Sequence, residues 1–327
     1  MGYLTTSRYL TNLSQFKKTD SLSLNSIWPV HRRAAVLVLL FIGNRGELRV
    51  LLTKRSRRLN SFSGQVSLPG GKADNESETF EAIARREAQE EIGLPSSDEV
   101  LLNNYGLKLD SVSREIPHYL SQTFLSVKPW VCFLYNAQTD NEKKFEIPLT
   151  MKRVFTKLNP GETSSVFSIP LSDLIFHEVS NPRGEKEYVR HEEYIAKWGG
   201  IAWKIRHYYY SLNNIYDVPW LNEVDDLSSD DGIYTNEKNC RHVWGLTAKI
   251  LHDIAMVAEG IMDPEQQETS IGHEELIHGL YEFGSQLHGK ERTNWEKNMM
   301  KGKKQFKYSD VIPSSYWDKL NTHIRNF

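Results

Sequence analysis

The sequence predicts an α/β fold, because apolar runs of strand length precede a strongly amphipathic helix and recur after it. Residues 34–42 are apolar without interruption, which is typical of a strand that is buried on both faces. Residues 47–53 predict a second strand, and the Asn-Arg-Gly turn between the two predicts a β-hairpin. Residues 78–92 predict a helix, because apolar side chains recur at helical spacing and Gly93 stands where a C-terminal cap belongs.

The remaining elements complete an alternation of strands and helices. Further strands are predicted near 107–112, 123–135 and 164–169, and a second amphipathic helix is predicted over 242–258. The stretch at about 176–240 has no clear period, so we interpret it as an irregular insertion between the last of these strands and that helix.

Composition excludes several classes of protein. The 327 residues carry 40 basic and 42 acidic side chains, so the chain is not a polycation suited to coating nucleic acid. The charged fraction of 25% is that of an ordinary soluble domain and argues against a disordered chain. Two cysteines cannot form a disulfide framework or a four-cysteine zinc site. The longest apolar run is too short to span a membrane. These features argue against a nucleic-acid partner and against a membrane span, and they leave the oligomeric state open.

Three glutamates dominate the end of the first predicted helix. Glu87, Glu90 and Glu91 lie within one helical turn, and like charges at such spacing destabilise a helix by roughly 0.2–0.5 kcal/mol per pair. A hard divalent cation would compensate this repulsion, because it prefers carboxylate oxygens. A solvated acidic face is the alternative for these residues taken alone. Upstream, Gly71 belongs to a Pro-Gly-Gly loop whose carbonyls can approach a cation closely.

Glu78 and Arg86 stand eight residues apart, a little over two helical turns. This spacing allows the two side chains to meet if the first turn bends slightly. We expect their ion pair to fix the helix and to aim the arginine away from the cation-binding carboxylates.

The segment from Gly71 to Leu94 resembles the Nudix box, whose pattern ends in Arg-Glu-apolar-any-Glu-Glu-any-Gly-apolar. Every position from Glu78 onward matches, while six residues separate Gly71 and Glu78 where the family pattern has five. The resemblance implies a Nudix fold, in which a mixed β-sheet is sandwiched between helices (α/β/α). It also implies an enzyme, a diphosphatase that uses Mg²⁺ or Mn²⁺.

The resemblance implies a role for each matching residue. Metal ligands would be Glu87, Glu91 and Gly71, with Glu90 as a ligand or the catalytic base; Glu78 and Arg86 would belong to the catalytic set. Glu162, on the Asn-Pro-Gly-Glu segment, is a further candidate ligand or base, because the family often uses a glutamate on a late loop. An ordinary turn residue is the alternative at this position.

A second resemblance narrows the substrate. The Leu-Leu-Thr-Lys-Arg-Ser segment at 51–56, followed by the loop to Gly71, resembles the coenzyme A diphosphatase branch of the family. Asn60 stands where that branch has an arginine, and Leu68 where it has a phenylalanine. The Trp-Gly-Leu-Thr segment at 244–247 matches the start of that branch's last helix. Cationic side chains on the loop could bind phosphates, since arginine chelates them in a bidentate manner: Lys54, Arg55, Arg57 and Arg58.

The predicted reaction is therefore hydrolysis of the diphosphate bond of coenzyme A or of an oxidised or acyl derivative. Its products would be 4′-phosphopantetheine, or the corresponding derivative, and adenosine 3′,5′-bisphosphate. An alternative is hydrolysis of oxidised nucleoside triphosphates on the same fold, and a third reading is a binding module without catalysis. The complete set of box carboxylates argues against the third reading.

The resemblance divides the chain into three parts and indicates a location. Residues 1–30 are an N-terminal helix and linker, 31–260 the catalytic domain with its insertion, and 261–327 a C-terminal extension. We expect a peroxisomal protein of the fungal type, with cytoplasm or mitochondria as alternatives. Residues 8–16 resemble a peroxisomal targeting nonapeptide only loosely, and an ordinary amphipathic helix explains them as well. The final Arg-Asn-Phe differs from the Ser-Lys-Leu address.

Overall fold

A mixed β-sheet forms the centre of the protein. The computed structural model describes residues 2–17, 28–140, 143–151, 158–175, 189–212, 218–223, 240–261 and 271–324. The strands of the main sheet are β1 (Arg33–Ile42), β2 (Leu48–Arg55), β3 (Val66–Ser67), β4 (Gly70–Lys72), β5 (Leu107–Ser113), β6 (Tyr119–Leu120), β7 (Ser126–Asn136) and β8 (Thr163–Pro170). Strands β1 and β7 run parallel, and the other pairings are antiparallel.

Strand β1 lies in the middle of this sheet and confirms the prediction from its uninterrupted apolar run. It forms the predicted hairpin with β2, in which Leu40 pairs with Val50. Its first half pairs with β4, which places Ala35 opposite Gly71. Nearly every side chain of β1 is buried, because both faces of the sheet are covered by helices.

The two faces of the sheet pack against different helices. On one face, the side chains of Leu37 and Leu39 contact a core shared with α2 (Phe80–Ile92) and α3 (Asp98–Tyr105). On the other face, the side chains of β1 and β2 meet α1 (Gly2–Gln15) and α4 (Gly245–Glu259). The predicted arrangement of a mixed sheet between helices is therefore confirmed. Among the described residues, no helix is long and apolar enough to cross a bilayer.

Helix α2 is shorter at its start than the sequence predicts. Its N-cap is Thr79, whose side chain accepts a hydrogen bond from the Ala82 amide, so Glu78 precedes the helix. Its end agrees with the prediction, because Gly93 adopts a left-handed φ of 73° and its N–H closes the last turn.

The insertion is more regular than the sequence predicts where the structure describes it. Strands β9 (Val189–Trp198) and β10 (Ile201–Ser211) form a hairpin, and β11 (Cys240–Trp244) pairs with β10 to make a second, three-stranded sheet. Buried side chains of this sheet, including Tyr208 and Val243, pack with α4. Residues 176–188, 213–217 and 224–239 of the predicted insertion lie outside the described part.

Helix α1 packs into the core with one face. Tyr9, Leu10, Leu13 and Phe16 are buried with the side chains of α4. These positions fall within the segment that loosely resembles a targeting nonapeptide. An amphipathic helix, the alternative interpretation of that segment, accounts for its apolar residues.

The C-terminal extension has a core of its own. Helices α5 (Glu274–Phe283), α6 (Asn294–Met300) and α7 (Ser314–Ile324) enclose apolar side chains together with Trp28 and with Phe124 of the β6–β7 turn. An ion pair between Arg32 Nη1 and Glu296 Oε1, 2.6 Å long and buried on both sides, ties α6 to the segment before β1. The extension is therefore part of the folded body.

Removing one member of this buried pair should destabilise the protein. Arg32→Leu leaves Glu296 buried without its closest cation, and we expect a loss of about 3 kcal/mol in the free energy of unfolding, measured with urea. Arg8→Leu is the matched control, because it breaks an exposed pair with Glu259 and should cost less than about 1 kcal/mol. Equal losses in the two variants would contradict the anchoring role of the buried pair.

Candidate active site

Two glycines of β4 bring the main chain against the carboxylates of α2. A Cβ at Gly71 would lie 2.3 Å from Cδ of Glu87, so a side chain there would displace this carboxylate. Gly70 has a φ of 157°, and a Cβ on it would lie 2.3 Å from the carbonyl oxygen of Ala35. Because glycine alone tolerates both constraints, this loop and the carboxylate-bearing face of α2 can approach each other closely.

Glu91 is the most deeply buried of the helix carboxylates. Its residue is 5% exposed, and the backbone N–H of Gly70 donates to its carboxylate. Nη1 of Arg55 lies 3.9 Å from Oε1, while Oε2 is buried without a hydrogen-bond partner. The pKa of Glu91 is raised to about 8, mainly by burial and in part by the carboxylates of Glu87 and Glu162, while Arg55 and the Gly70 amide oppose the rise.

Glu87 and Glu162 share this environment. Burial raises the pKa of Glu87 above its ordinary value, Arg86 opposes the rise, and Glu90 and Glu162 add to it. Three carboxylates, from Glu87, Glu91 and Glu162, therefore repel one another within one site. Of these residues, Glu162 comes from a loop distant in sequence.

Backbone hydrogen bonds fix the loop that carries Glu162. The amide of Asn159 donates to the carbonyl of Glu91 at 3.2 Å, and the amide of Ser56 donates to the carbonyl of Glu162 at 2.7 Å. The side chain of Asn159 accepts from the Gly161 amide, which closes the turn. The loop is thus held both to α2 and to the end of β2.

Arg86 links the residues that precede α2 to the carboxylate-bearing face of this helix. Its Nε donates to Glu78 at 2.8 Å, which is the contact that the spacing predicts. Nη2 donates to the carbonyl of Lys72, and Nη1 donates to Oε1 of Glu87 at 3.0 Å. The expectation that the arginine points away from the carboxylates is therefore wrong: its guanidinium is broad enough to bind Glu78 and Glu87 together.

A cavity of about 700 Å³ opens onto these groups. Its wall combines the carboxylate cluster with β4, the loop before β3, the turn before β7, the start of α4 and the C-terminal segment. The residues that carry polar or aromatic chemistry into it include Arg55, Phe62, Glu87, Glu91, Glu162, Trp244 and Arg292. Such a volume suits a small organic ligand with several functional groups.

The structure gathers only part of the predicted set at this wall. Gly71, Glu87, Glu91, Arg55 and Glu162 line the cavity, and Glu78 and Arg86 support it from behind. Four further predicted residues are not among the lining side chains: Glu90, Lys54, Arg57 and Arg58. Glu90 is half exposed, and its Oε2 lies 3.4 Å from Nη1 of Arg86.

Phe62 and Arg292 are lining residues that were not singled out from the sequence. Phe62 is 46% exposed and has a φ of 53°, an unusual conformation for a bulky residue. Arg292 belongs to the C-terminal extension, where no motif marked it. Trp244 was noted only as part of a motif, although it is 36% exposed and forms the rim beside α4. An exposed aromatic residue in a strained turn cannot be recognised without backbone angles.

The carboxylate site fits a divalent cation. Among the residues that the structure describes, no three His, Cys, Asp or Glu side chains stand close enough to enclose a metal ion by themselves. Mg²⁺-type ions do not need such a cage, because they bind through one or two carboxylates and keep water or phosphate oxygens as further ligands. Oε2 of Glu91 is buried without a hydrogen-bond partner, beside Glu87 and the loop at Gly71 with its backbone carbonyls. This oxygen is therefore available as a ligand for such an ion.

The raised pKa of Glu91 makes metal-free stability depend on pH. The folded state keeps a proton on Glu91 up to about pH 8, while the unfolded chain releases it near the ordinary value of 4.5. The stability contributed by this protonated group is therefore complete below pH 4.5 and is lost as the pH rises through 8. With a chelator present, Glu91→Gln should unfold at a higher temperature than wild type at pH 9, and the advantage should shrink toward pH 5.

Glu99→Gln is the matched control, because Glu99 is an exposed glutamate on α3. Its melting temperature should follow that of wild type at every pH. Parallel curves for wild type and Glu91→Gln would contradict the assignment of an uncompensated buried carboxylate.

Comparison with known proteins agrees with the geometry. The model of the NUDIX domain matches residues 31–190. The chain is 49% identical over 329 residues to "Peroxisomal coenzyme A diphosphatase 1, peroxisomal" of Saccharomyces cerevisiae, covering 97% of this chain and 96% of that protein. It is 38% identical over 167 residues to "Nudix hydrolase 15, mitochondrial" of Arabidopsis thaliana, covering 51% of this chain and 49% of that protein. With the box helix, its glycine loop and this near-complete alignment, the chain belongs to the Nudix hydrolase family.

Proposed function

We propose that this protein hydrolyses the diphosphate bond of coenzyme A or its oxidised or acyl derivatives, with Mg²⁺ or Mn²⁺ as cofactor. The observation that carries the proposal is the cluster of Glu87, Glu91 and Glu162 beside Arg55 at a cavity large enough for such a ligand. Family membership supports a divalent metal ion. The name of the yeast relative supports the substrate, because the alignment spans nearly the whole of both chains.

Each of these residues has a separate role at the reacting phosphate. Glu87 and Glu91 would hold the cation, which supplies positive charge that neutralises the diphosphate oxygens. Arg86 orients Glu87 through the contact of its Nη1 with Oε1. Arg55, whose Nη1 lies 3.9 Å from Oε1 of Glu91, offers its guanidinium to a phosphate oxygen.

The hydrolysis itself needs one proton acceptor. Water attacks one phosphorus, a new P–O bond forms, and the bond from that phosphorus to the bridging oxygen breaks. The water's proton passes to a carboxylate, and the other phosphate leaves as the second product. Glu162 is our first candidate for this base because it lines the cavity, and Glu90 is the second; Gly71 would add a carbonyl ligand.

Lys54 and Arg58 remain candidates for binding outer phosphates. Lys54 precedes Arg55 on β2, and Arg58 is exposed on the loop that follows this strand. Their contribution requires a substrate that extends beyond the cavity wall, so we propose it as secondary to that of Arg55. We propose that the protein is located in the peroxisome. The name of the yeast relative supports this location.

The direct test is hydrolysis of coenzyme A with analysis of the product masses. In Mg²⁺ or Mn²⁺, wild type should release 4′-phosphopantetheine and adenosine 3′,5′-bisphosphate, and a chelator should stop the reaction. Glu87→Gln should lower kcat/KM at least about 100-fold, because it removes a ligand of the cation that would neutralise the charge of the transition state. Glu99→Gln, on an exposed face of the neighbouring helix, should leave the rate unchanged.

Intact coenzyme A after prolonged incubation would reject the proposal. Loss of 8-oxo-dGTP under the same conditions would then assign the site to oxidised nucleoside triphosphates. Equal rates for wild type and Glu87→Gln would reject the metal site even if coenzyme A were cleaved.

A further inference from the structure

The C-terminal extension supplies part of the wall of the active-site cavity. Arg292 and Met300 line it together with Ser121, Gln122 and Thr123 of the turn between β6 and β7. The two segments are joined directly, since Nη1 of Arg292 donates to the carbonyl of Thr123 at 2.8 Å. Nε2 of Gln122 also donates to the carbonyl of Met300.

Arg292 is held in place by a built structure. It precedes Thr293, the N-cap of α6, whose side chain and amide form a capping box with Glu296. The preceding segment is anchored where Nη2 of Arg32 donates to the carbonyl of Gly289. The position of the guanidinium at the cavity wall is thus fixed on both sides in sequence.

The charges around Arg292 do not balance. Glu296 Oε1 accepts from Arg32 at 2.6 Å and lies 3.6 Å from Nη1 of Arg292, while its Oε2 is used by Thr293. One carboxylate therefore serves two arginines, which leaves a positive charge in excess. Burial and the charge of Arg32 both lower the pKa of Arg292, and Glu296 opposes this shift. Its side chain is 28% exposed, so a ligand can reach it.

The pairing of β1 relates this cation to the carboxylate site. Gly71, which touches Glu87, pairs with Ala35, and Ser126, at the end of the turn that contains Thr123, pairs with Arg33. Along β1 the two pairs are roughly 7 Å apart, and β4 and β7 lie on opposite sides of β1 at about 4.8 Å each, so the turn ends on the order of 12 Å from Gly71. Arg292 contacts this turn at Thr123. We therefore expect one small molecule to place its diphosphate at Glu87 and Glu91 and a second anionic group at Arg292.

We propose that Arg292 is a substrate-specificity residue that binds a second phosphate group of the substrate, the 3′-phosphate of the adenosine moiety. The proposal rests on the proposed function, which provides a substrate whose ribose carries both a 5′-diphosphate and a 3′-phosphate. A single sugar separates the two anionic groups, which matches one cavity that has a cation site at Glu87 and Glu91 and an arginine in its far wall. The C-terminal extension thereby contributes to the choice of substrate.

Paired substrates test this assignment. Wild type should cleave coenzyme A with a kcat/KM about 10- to 100-fold above that for 3′-dephospho-coenzyme A, as expected for one charge-assisted contact. Arg292→Gln should lower kcat/KM for coenzyme A by that factor, mainly through KM, and leave 3′-dephospho-coenzyme A unaffected. Arg292→Lys should recover part of the preference, because it restores the charge without the bidentate geometry. Lys303→Gln, at an exposed cation outside the cavity, should behave as wild type.

A binding titration separates this proposal from the proposed reaction. Wild type should bind adenosine 3′,5′-bisphosphate more tightly than adenosine 5′-monophosphate, and Arg292→Gln should bind the two alike. That pattern without cleavage of coenzyme A would keep the phosphate site and reject the reaction. Equal losses for both substrates in Arg292→Gln would reduce Arg292 to a structural residue and overturn the proposal, as would an unchanged preference.

Discussion

The burial of like charges on one face of α2 is the constraint on which the site depends. Glu87 and Glu91 face the glycines of β4, and Glu162 arrives from a loop tied to the same helix. Burial and mutual repulsion raise the pKa values of the first two, because water cannot screen the negative charge that each carboxylate would carry. The repulsion between these carboxylates favours the binding of a divalent cation, although they enclose it only in part.

A small number of contacts from the surrounding structure compensates the charge of these carboxylates and positions them. Arg86 compensates part of the charge from behind, since it binds Glu78 and Glu87 with one guanidinium. Arg55 compensates part of it from β2. The paired strands β1 and β4 set the distance to the glycine loop, and a side chain at Gly71 would clash with Glu87. Each contact belongs to an element whose place in the sheet is fixed by a long apolar strand.

Local features of the sequence predicted much of this arrangement. The apolar run of β1, the hairpin to β2 and the Gly93 cap are short-range signals, and each agrees with the structure. The direction of Arg86 was predicted wrongly, because spacing along a helix cannot show that one guanidinium reaches two carboxylates. The β9–β10 hairpin was not predicted, since its exposed strands lack a simple apolar alternation. The role of Arg292 in the cavity depends on tertiary contacts between distant segments, which no motif records.

The most direct test of the central claim is Mn²⁺ binding to protein that a chelator has freed of metal. This binding is measured by electron paramagnetic resonance. We predict saturable binding to wild type and to Glu99→Gln, and its loss in Glu91→Gln, because Oε2 of Glu91 is the buried donor without a partner. Undiminished Mn²⁺ binding by Glu91→Gln would contradict the account, since the cation would then be held by groups other than this buried cluster.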